Sequence, residues 1–194
     1  MANYNHKITE TNVVVGEVRF SYVHVFEPMI NTATGEQGKY SVCILIPKDD
    51  KATLKIIHEA IDAATKKGQT SKFGGKIPAK LATPLHDGDE ERPEDENFAG
   101  MMYFNASSKN RPGVRIRDGG IREPLEESEF YSGCFGAADV NFYAYDFAGK
   151  KGIAAGLNNV IRTRDGERLS GGQSADSSFA FMGGDSSSYE EEDF

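Results

Sequence analysis

The chain of 194 residues carries 22 Lys and Arg against 30 Asp and Glu, a formal net charge of −8, and 38% of its residues are hydrophobic. That length suits one domain with a real core, and the modest apolar fraction predicts that part of the chain stays outside it. No run approaches the roughly eighteen apolar residues of a membrane span, and the N-terminal MANYNHKITE lacks an apolar leader core. Both features argue against a membrane protein and for one that stays where it is made.

In chain order, residues 1–12 are polar. Val13–Phe26, VVVGEVRFSYVHVF, predicts a long β segment with a bend or bulge at Gly16. Its alternation sends Val18, Phe20 and Tyr22 to one face and Arg19 and Ser21 to the other. A loop over Glu27–Gly38 leads to a second strand, Lys39–Ile46, ended by Pro47. Asp49 or Asp50 can cap a helix over Lys51–Lys67, with Leu54, Ile57, Ile61 and Ala64 as its core stripe and Gly68 as its stop.

Gln69–Gly100 is long, polar and rich in Gly, Pro and acid, the kind of link that is functional or disordered. Lys72, Phe73 and Lys76 are weak candidates for ligand contact. Asp87-Gly88-Asp89 invites a metal, but the spacing misses an EF-hand loop and no His stands at ligand spacing, so no metal site is expected.

Met101–Arg117, MMYFNASSKNRPGVRIR, starts as an alternating strand and ends, after an Asn-Arg-Pro-Gly turn signal, as the second arm of a basic hairpin. Met102, Phe104 and Ala106 point one way; Tyr103, Asn105 and Ser107 point the other. Val114 and Ile116 then face the core, Arg115 and Arg117 face outward with Tyr103, and Lys109 and Arg111 sit on the connection. An aromatic ring for a base beside cations for a phosphate backbone is the chemistry of single-strand nucleic-acid binding. The plainer reading is a hairpin with charges outside for solubility.

Gly119–Ser132 is a turn-rich link. Cys134–Phe147 is a strand whose alternation turns Val140, Phe142 and Ala144 inward and leaves Asn141, Tyr143, Tyr145 and Phe147 outside. Lys150–Arg164 is a final strand anchored by Ile153, Leu157 and Ile161, with Arg162 and Arg164 adding cations. From Ser170 the composition shifts to Gly, Ser, Asp and Glu, which cannot form a core. We therefore expect a body over residues 1–169 and a flexible acidic tail over 170–194. The closing Glu190, Glu191, Glu192, Asp193 and Phe194 suit a docking peptide, with carboxylates for a basic pocket and one apolar anchor.

The charge is segregated. Residues 185–194 contribute −5 and residues 87–96 contribute −6, which leaves +3 for the rest. Between residues 101 and 122, Lys109, Arg111, Arg115, Arg117 and Arg122 face Asp118 alone. A mildly basic body with its acid set apart fits a binding protein with an acidic tail. Cys43 and Cys134 lie in strand-like segments and predict two buried, reduced thiols. His6, His24, His58 and His86 are scattered, Cys134 has no catalytic partner in a recognisable order, and no phosphate-cradling or dinucleotide fingerprint occurs. Neither an enzyme nor a cofactor is expected.

Together, NASSKNRPGVRIRD (Asn105–Asp118), YSGCF (Tyr131–Phe135), VNFYAYDFAGKKGIAAGLNNVIRTRDGERL (Val140–Leu169) and EEEDF (Glu190–Phe194) resemble the phage single-stranded-DNA-binding proteins of OB fold with an acidic C-terminal tail, broadly the T7 type. The resemblance runs from about Val13 onward. It implies binding of single strands in replication or recombination without sequence preference, in the host-cell cytoplasm. It also implies a tail that meets replication proteins and competes with DNA. The acidic Asp87–Glu96 stretch departs from this pattern and is expected to project away from the groove.

The expected fold is mainly β with one substantial helix, a five-stranded, partly open OB-type barrel with long loops. The expected interface comprises Tyr103, Tyr143 and Tyr145 for stacking, Asn105 beside them, and Lys109, Arg111, Arg115, Arg117 and Arg162 for phosphates. Single-stranded DNA, tail-bound replication proteins and a second copy of the chain are the candidate partners. A rival reading is a phage structural or adaptor protein whose exposed tyrosines form a protein interface. A metal-dependent nuclease built on Asp87 and Asp89 is a third.

Overall fold

The computed structural model describes residues 2–169, in which the apolar runs pair into a single nine-stranded sheet. The strands are β1 (His6–Lys7), β2 (Asn12–His24), β3 (Tyr40–Pro47), β4 (His86–Asp87), β5 (Met101–Ser108), β6 (Gly113–Arg117), β7 (Ile121–Arg122), β8 (Phe135–Phe147) and β9 (Lys150–Arg164). Five of them close a barrel in the order β5–β3–β2–β8–β9. The ring is completed where β9 returns to β5 in a parallel pairing of Ala106 with Ala155 and Ser107 with Gly156. This is the mainly β, OB-type barrel expected, closed rather than partly open. Phe20, Ile44, Phe104, Ile116 and Phe142 fill its interior, and Phe104 meets Phe142 at 5.6 Å between ring centroids.

Helix α1 (Lys51–Ser71) begins where the Asp50 carboxylate accepts the Thr53 N–H at 3.1 Å, and it buries Leu54, Ile57, Ile61 and Ala64. It runs past the expected stop. Gly68 lies inside the helix, buried against β8. A Cβ there would collide with the Ala144 methyl and come within 2.9 Å of the Phe73 ring. Close approach of helix to sheet, and not chain reversal, is the reason for that glycine. Phe73 is 4% exposed and caps the core, so it is not a ligand contact.

Side-chain direction along β2 changes twice. Val13 and Val15 point inward, a register shift intervenes between Gly16 and Val18, and Val18 and Phe20 point inward after it. The shift stands where Gly16 predicted one. A second irregularity, between Ser21 and His24, carries Tyr22 at a φ of +46° and turns its ring outward, 51% exposed. The expected inward Tyr22 is thereby corrected. On β9 a similar shift opposite Asp139 and Val140 brings Val160 inward in place of Ile161.

The expected β5–β6 hairpin does not form. One edge of β5 is taken by β3, and the other is shared by β4 and β9, so β6 has no free edge to fold back on. It continues alongside β9 instead, parallel, with Arg115 beside Ile161. Cys43 and Cys134 are free and buried, and burial pushes their thiols up to about 12 and about 11. Both are therefore expected to resist Ellman's reagent at pH 8 in the native protein and to react together on unfolding, which a thiol titration with and without denaturant measures.

Candidate nucleic-acid interface

The outer surface near the barrel's closure is built from residues that alternate with the core. On β8, Val140 and Phe142 are buried while Tyr143 is 39% and Phe147 77% exposed. Their partners on β9 are small: Tyr143 stands opposite Ala154 and Tyr145 opposite Gly152. The Tyr145 ring lies over Gly152, where a Cβ would come within 2.7 Å of its ring carbon. Glycine leaves room for the hydroxyl end of this ring against the strand beneath. Phe147 pairs with Lys150 at the hairpin end, so a cation borders the aromatic strip.

From that strip the register leads across the closure. Asn141 pairs with Gly156, Gly156 with Ser107, and Ser107 with Ser41. One step back along β5, Asn105 is exposed next to the same seam. The floor is thus Asn, Gly and Ser, low and polar, with aromatics at one end. Tyr40 pairs with Ser108, so Lys39 and Lys109, the next residues outward, flank one rim.

The other expected contacts fall elsewhere. Tyr103 is only 4% exposed: it packs with Cys43, Leu45 and Phe98, edge-on to Phe98 at 4.9 Å and stacked on His86 at 5.3 Å. It points away from the barrel core as expected, but the acidic segment covers it. That segment, expected to project away, folds back instead. Phe98 and Leu85 anchor it, and the Lys48 ammonium meets Asp87 and Asp89 at 2.6 Å each. The ammonium holds both carboxyls below the usual aspartate range, and they raise Lys48 in turn. The clamp therefore holds above the ordinary aspartate pKa and loosens as pH falls through the lowered values. Asp87 and Asp89, the pair that suggested a metal, serve here as the ends of that clamp.

Arg115 and Arg117 are exposed on β6, but Arg115 lies seven residues along β9 from Ala154, the partner of Tyr143. That places them about 23 Å apart along the strand, at opposite ends of the barrel surface. Arg115 faces Glu123 at 3.4 Å, and Arg117 donates to the Tyr4 hydroxyl at 3.0 Å. Arg111 lies over the Phe26 ring at 5.7 Å, in a cleft of about 440 Å³, with Glu127 at 3.8 Å. Arg162 is mostly buried and paired with Asp165, which removes it from the surface set. The structure thus joins Asn105, Tyr143 and Tyr145, sets Lys109 at their rim, and separates the β6 arginines. Glu190–Phe194 lie outside the described residues.

The model of a protein family, described as the single-stranded-DNA-binding protein of Enterobacter phage Enc34, matches residues 11–194. The chain belongs to the Enc34 single-stranded-DNA-binding protein family. A putative protein, p50, of Acyrthosiphon pisum secondary endosymbiont phage 1 is 35% identical over 173 residues, covering 82% of this chain and 87% of its own. Among solved structures, the Enc34 protein in complex with single-stranded DNA superposes with a TM-score of 0.70 at 28% identity, over 86% of this chain and 98% of that one. The free Enc34 protein gives 0.67 at 26%, over 93% and 99%. The single-stranded DNA binding protein gp2.5 of phage T7 aligns at 15% identity with a TM-score of 0.49, over 88% and 97%.

Two features of this Enc34-family chain escape a reading by alternation alone. Phe26 becomes a partner of Arg111 only through the fold. Phe98 was legible in principle, as a lone aromatic in a polar, acidic run, the mark of an anchor that pins a segment down. No helix among the described residues is long and apolar enough to cross a membrane.

Proposed function

We propose that this chain is a sequence-nonspecific single-stranded-DNA-binding protein of phage replication or recombination, working in the host-cell cytoplasm. The observation that carries this reading is the outward-facing strip of exposed Tyr143, half-buried Tyr145 and exposed Phe147, the two tyrosines set against Ala154 and Gly152, in a chain of the Enc34 family. Bases stack on the rings, a contact that tolerates any sequence because every base has a π face. The low floor of Asn105, Ser107 and Gly156 leaves room for the strand, and Lys109 and Lys39 meet its phosphates. Its role is binding, with no reaction assigned.

Residues 170–194 hold six of the thirty acids and no cation, so the net charge of −8 falls to −2 for residues 1–169. In this reading Glu190–Phe194 recruit replication or recombination proteins and compete with DNA for the rim cations. The test is fluorescence anisotropy of a labelled oligonucleotide across a salt series, comparing the full chain with one ending at Gly184, with duplex DNA and RNA as competitors. Neutralising two or three phosphates through Lys39, Lys109 and Lys150 gives a slope of log K against log salt of about −1.4 to −2. Tighter, salt-sensitive binding by the shortened chain supports both groove and tail. Absence of binding by either form at low salt overturns the reading in favour of a structural adaptor.

A further inference from the structure

We infer that Tyr22, with Arg92 beside it, is a second nucleobase-stacking site, at the far end of the polar floor from Tyr143. This rests on the proposed binding of single strands and adds to it a site on a different strand, held by the acidic segment.

The argument starts from the backbone. Continued alternation after Val18 and Phe20 would have buried Tyr22 in the core. The irregularity between Ser21 and His24 turns it out, and it does so through a φ of +46°, a left-handed conformation that an aromatic residue rarely adopts. A strained, exposed ring is kept where its position matters. The ring lies beside the floor already described: Ser21 pairs with Cys43 and His24 with Ser41, and Ser41 leads through Ser107 and Gly156 to Asn141. Aromatic rings therefore stand at both ends of one path of small polar residues that winds across β3, β5 and β9.

The second part of the site is fixed in place. The Arg92 guanidinium lies 5.8 Å from the Tyr22 ring centre, and also 5.2 Å from Phe98 and 5.7 Å from Tyr103. It is held by the acidic segment, which Lys48 clamps. Next to Tyr22 opens a cleft of about 390 Å³, bordered by His24, Asp95, Asn97 and Ser132. That volume suits a single base or nucleoside. Asp95 and the other acids of the segment repel phosphate, so the group admitted is an uncharged base, with its phosphates directed toward Lys39 and Lys109. The acidic segment is thus one wall of the track, and it sets which side of the strand faces the protein.

The test uses the full chain and a labelled oligo(dT). Tyr22→Asn keeps the left-handed backbone, which Asn tolerates, and removes the ring. Tyr22→Phe keeps the ring and removes the hydroxyl. The expected result is a loss of affinity of about fivefold or more for Tyr22→Asn, with Tyr22→Phe near wild type. Irradiation of wild-type complexes with iododeoxyuridine-substituted strands should cross-link a peptide containing Tyr22. Thermal melting confirms that each variant is folded. Unchanged affinity of Tyr22→Asn, in a protein whose wild type binds and whose Tyr143→Ala, Phe147→Ala variant is weakened, overturns this site alone. A wild type that binds no single strand overturns the proposed function, and this site with it.

Discussion

Tyr143→Ala combined with Phe147→Ala is expected to weaken single-strand binding by tens-fold or more while leaving the melting temperature nearly unchanged. Each stacked base contributes about 1–3 kcal/mol, and every 1.4 kcal/mol is a factor of ten, so losing two rings removes at least about 2 kcal/mol. Stability is largely spared because neither ring belongs to the buried core, Phe147 being 77% and Tyr143 39% exposed. The salt slope should stay near its wild-type value, since no cation is removed. Anisotropy at two salt concentrations and a melting curve read all three quantities. A variant that binds as tightly as wild type places the stacking surface elsewhere.

Phe104→Ala has the opposite signature. Phe104 is fully buried and packs against Phe142, and the residue after Asn105, Ala106, lies at the barrel's closure. Removing the ring leaves a cavity that β3 and β8 cannot collapse to fill, at a cost of about 3–5 kcal/mol. Against a typical total of about 5–15 kcal/mol, the urea midpoint should fall by a large fraction. Molecules that remain folded at low temperature should bind DNA nearly as well as wild type, because position 104 points away from the surface that carries Asn105. A stability loss under 1 kcal/mol would show that the core has been wrongly located.

Where local pattern and tertiary context agree, the sequence was legible. Lys150–Arg164 is a strand over the span expected, Asp50 caps the helix, and Val140, Phe142, Tyr143 and Phe147 face as alternation demands. The failures have one physical origin, which is that facing is local but exposure is not. Tyr103 does point outward, yet a segment beginning at His86 covers it. Tyr22 obeys alternation until a backbone irregularity reverses it, and nothing in SYVHV marks that reversal. The basic hairpin failed because the edge of β5 was already occupied by partners far away in sequence, β4 and β9. Arg162 looks like a surface cation in the sequence, but the fold buries most of its side chain and pairs it with Asp165.

The closure of β5 on β9 rests on two residue pairs, whereas β8 and β9 are joined along thirteen. A ring with so uneven a circumference behaves as a clasp. Breaking a few hydrogen bonds at Ala106 and Ser107 parts it, while the long β8–β9 ribbon and the helix packed on it stay intact. The floor between Asn105 and Asn141 crosses that clasp. A strand lying over it would span both jaws and hold them shut, so occupancy and closure reinforce one another: the protein would be stiffest when loaded and most open when empty.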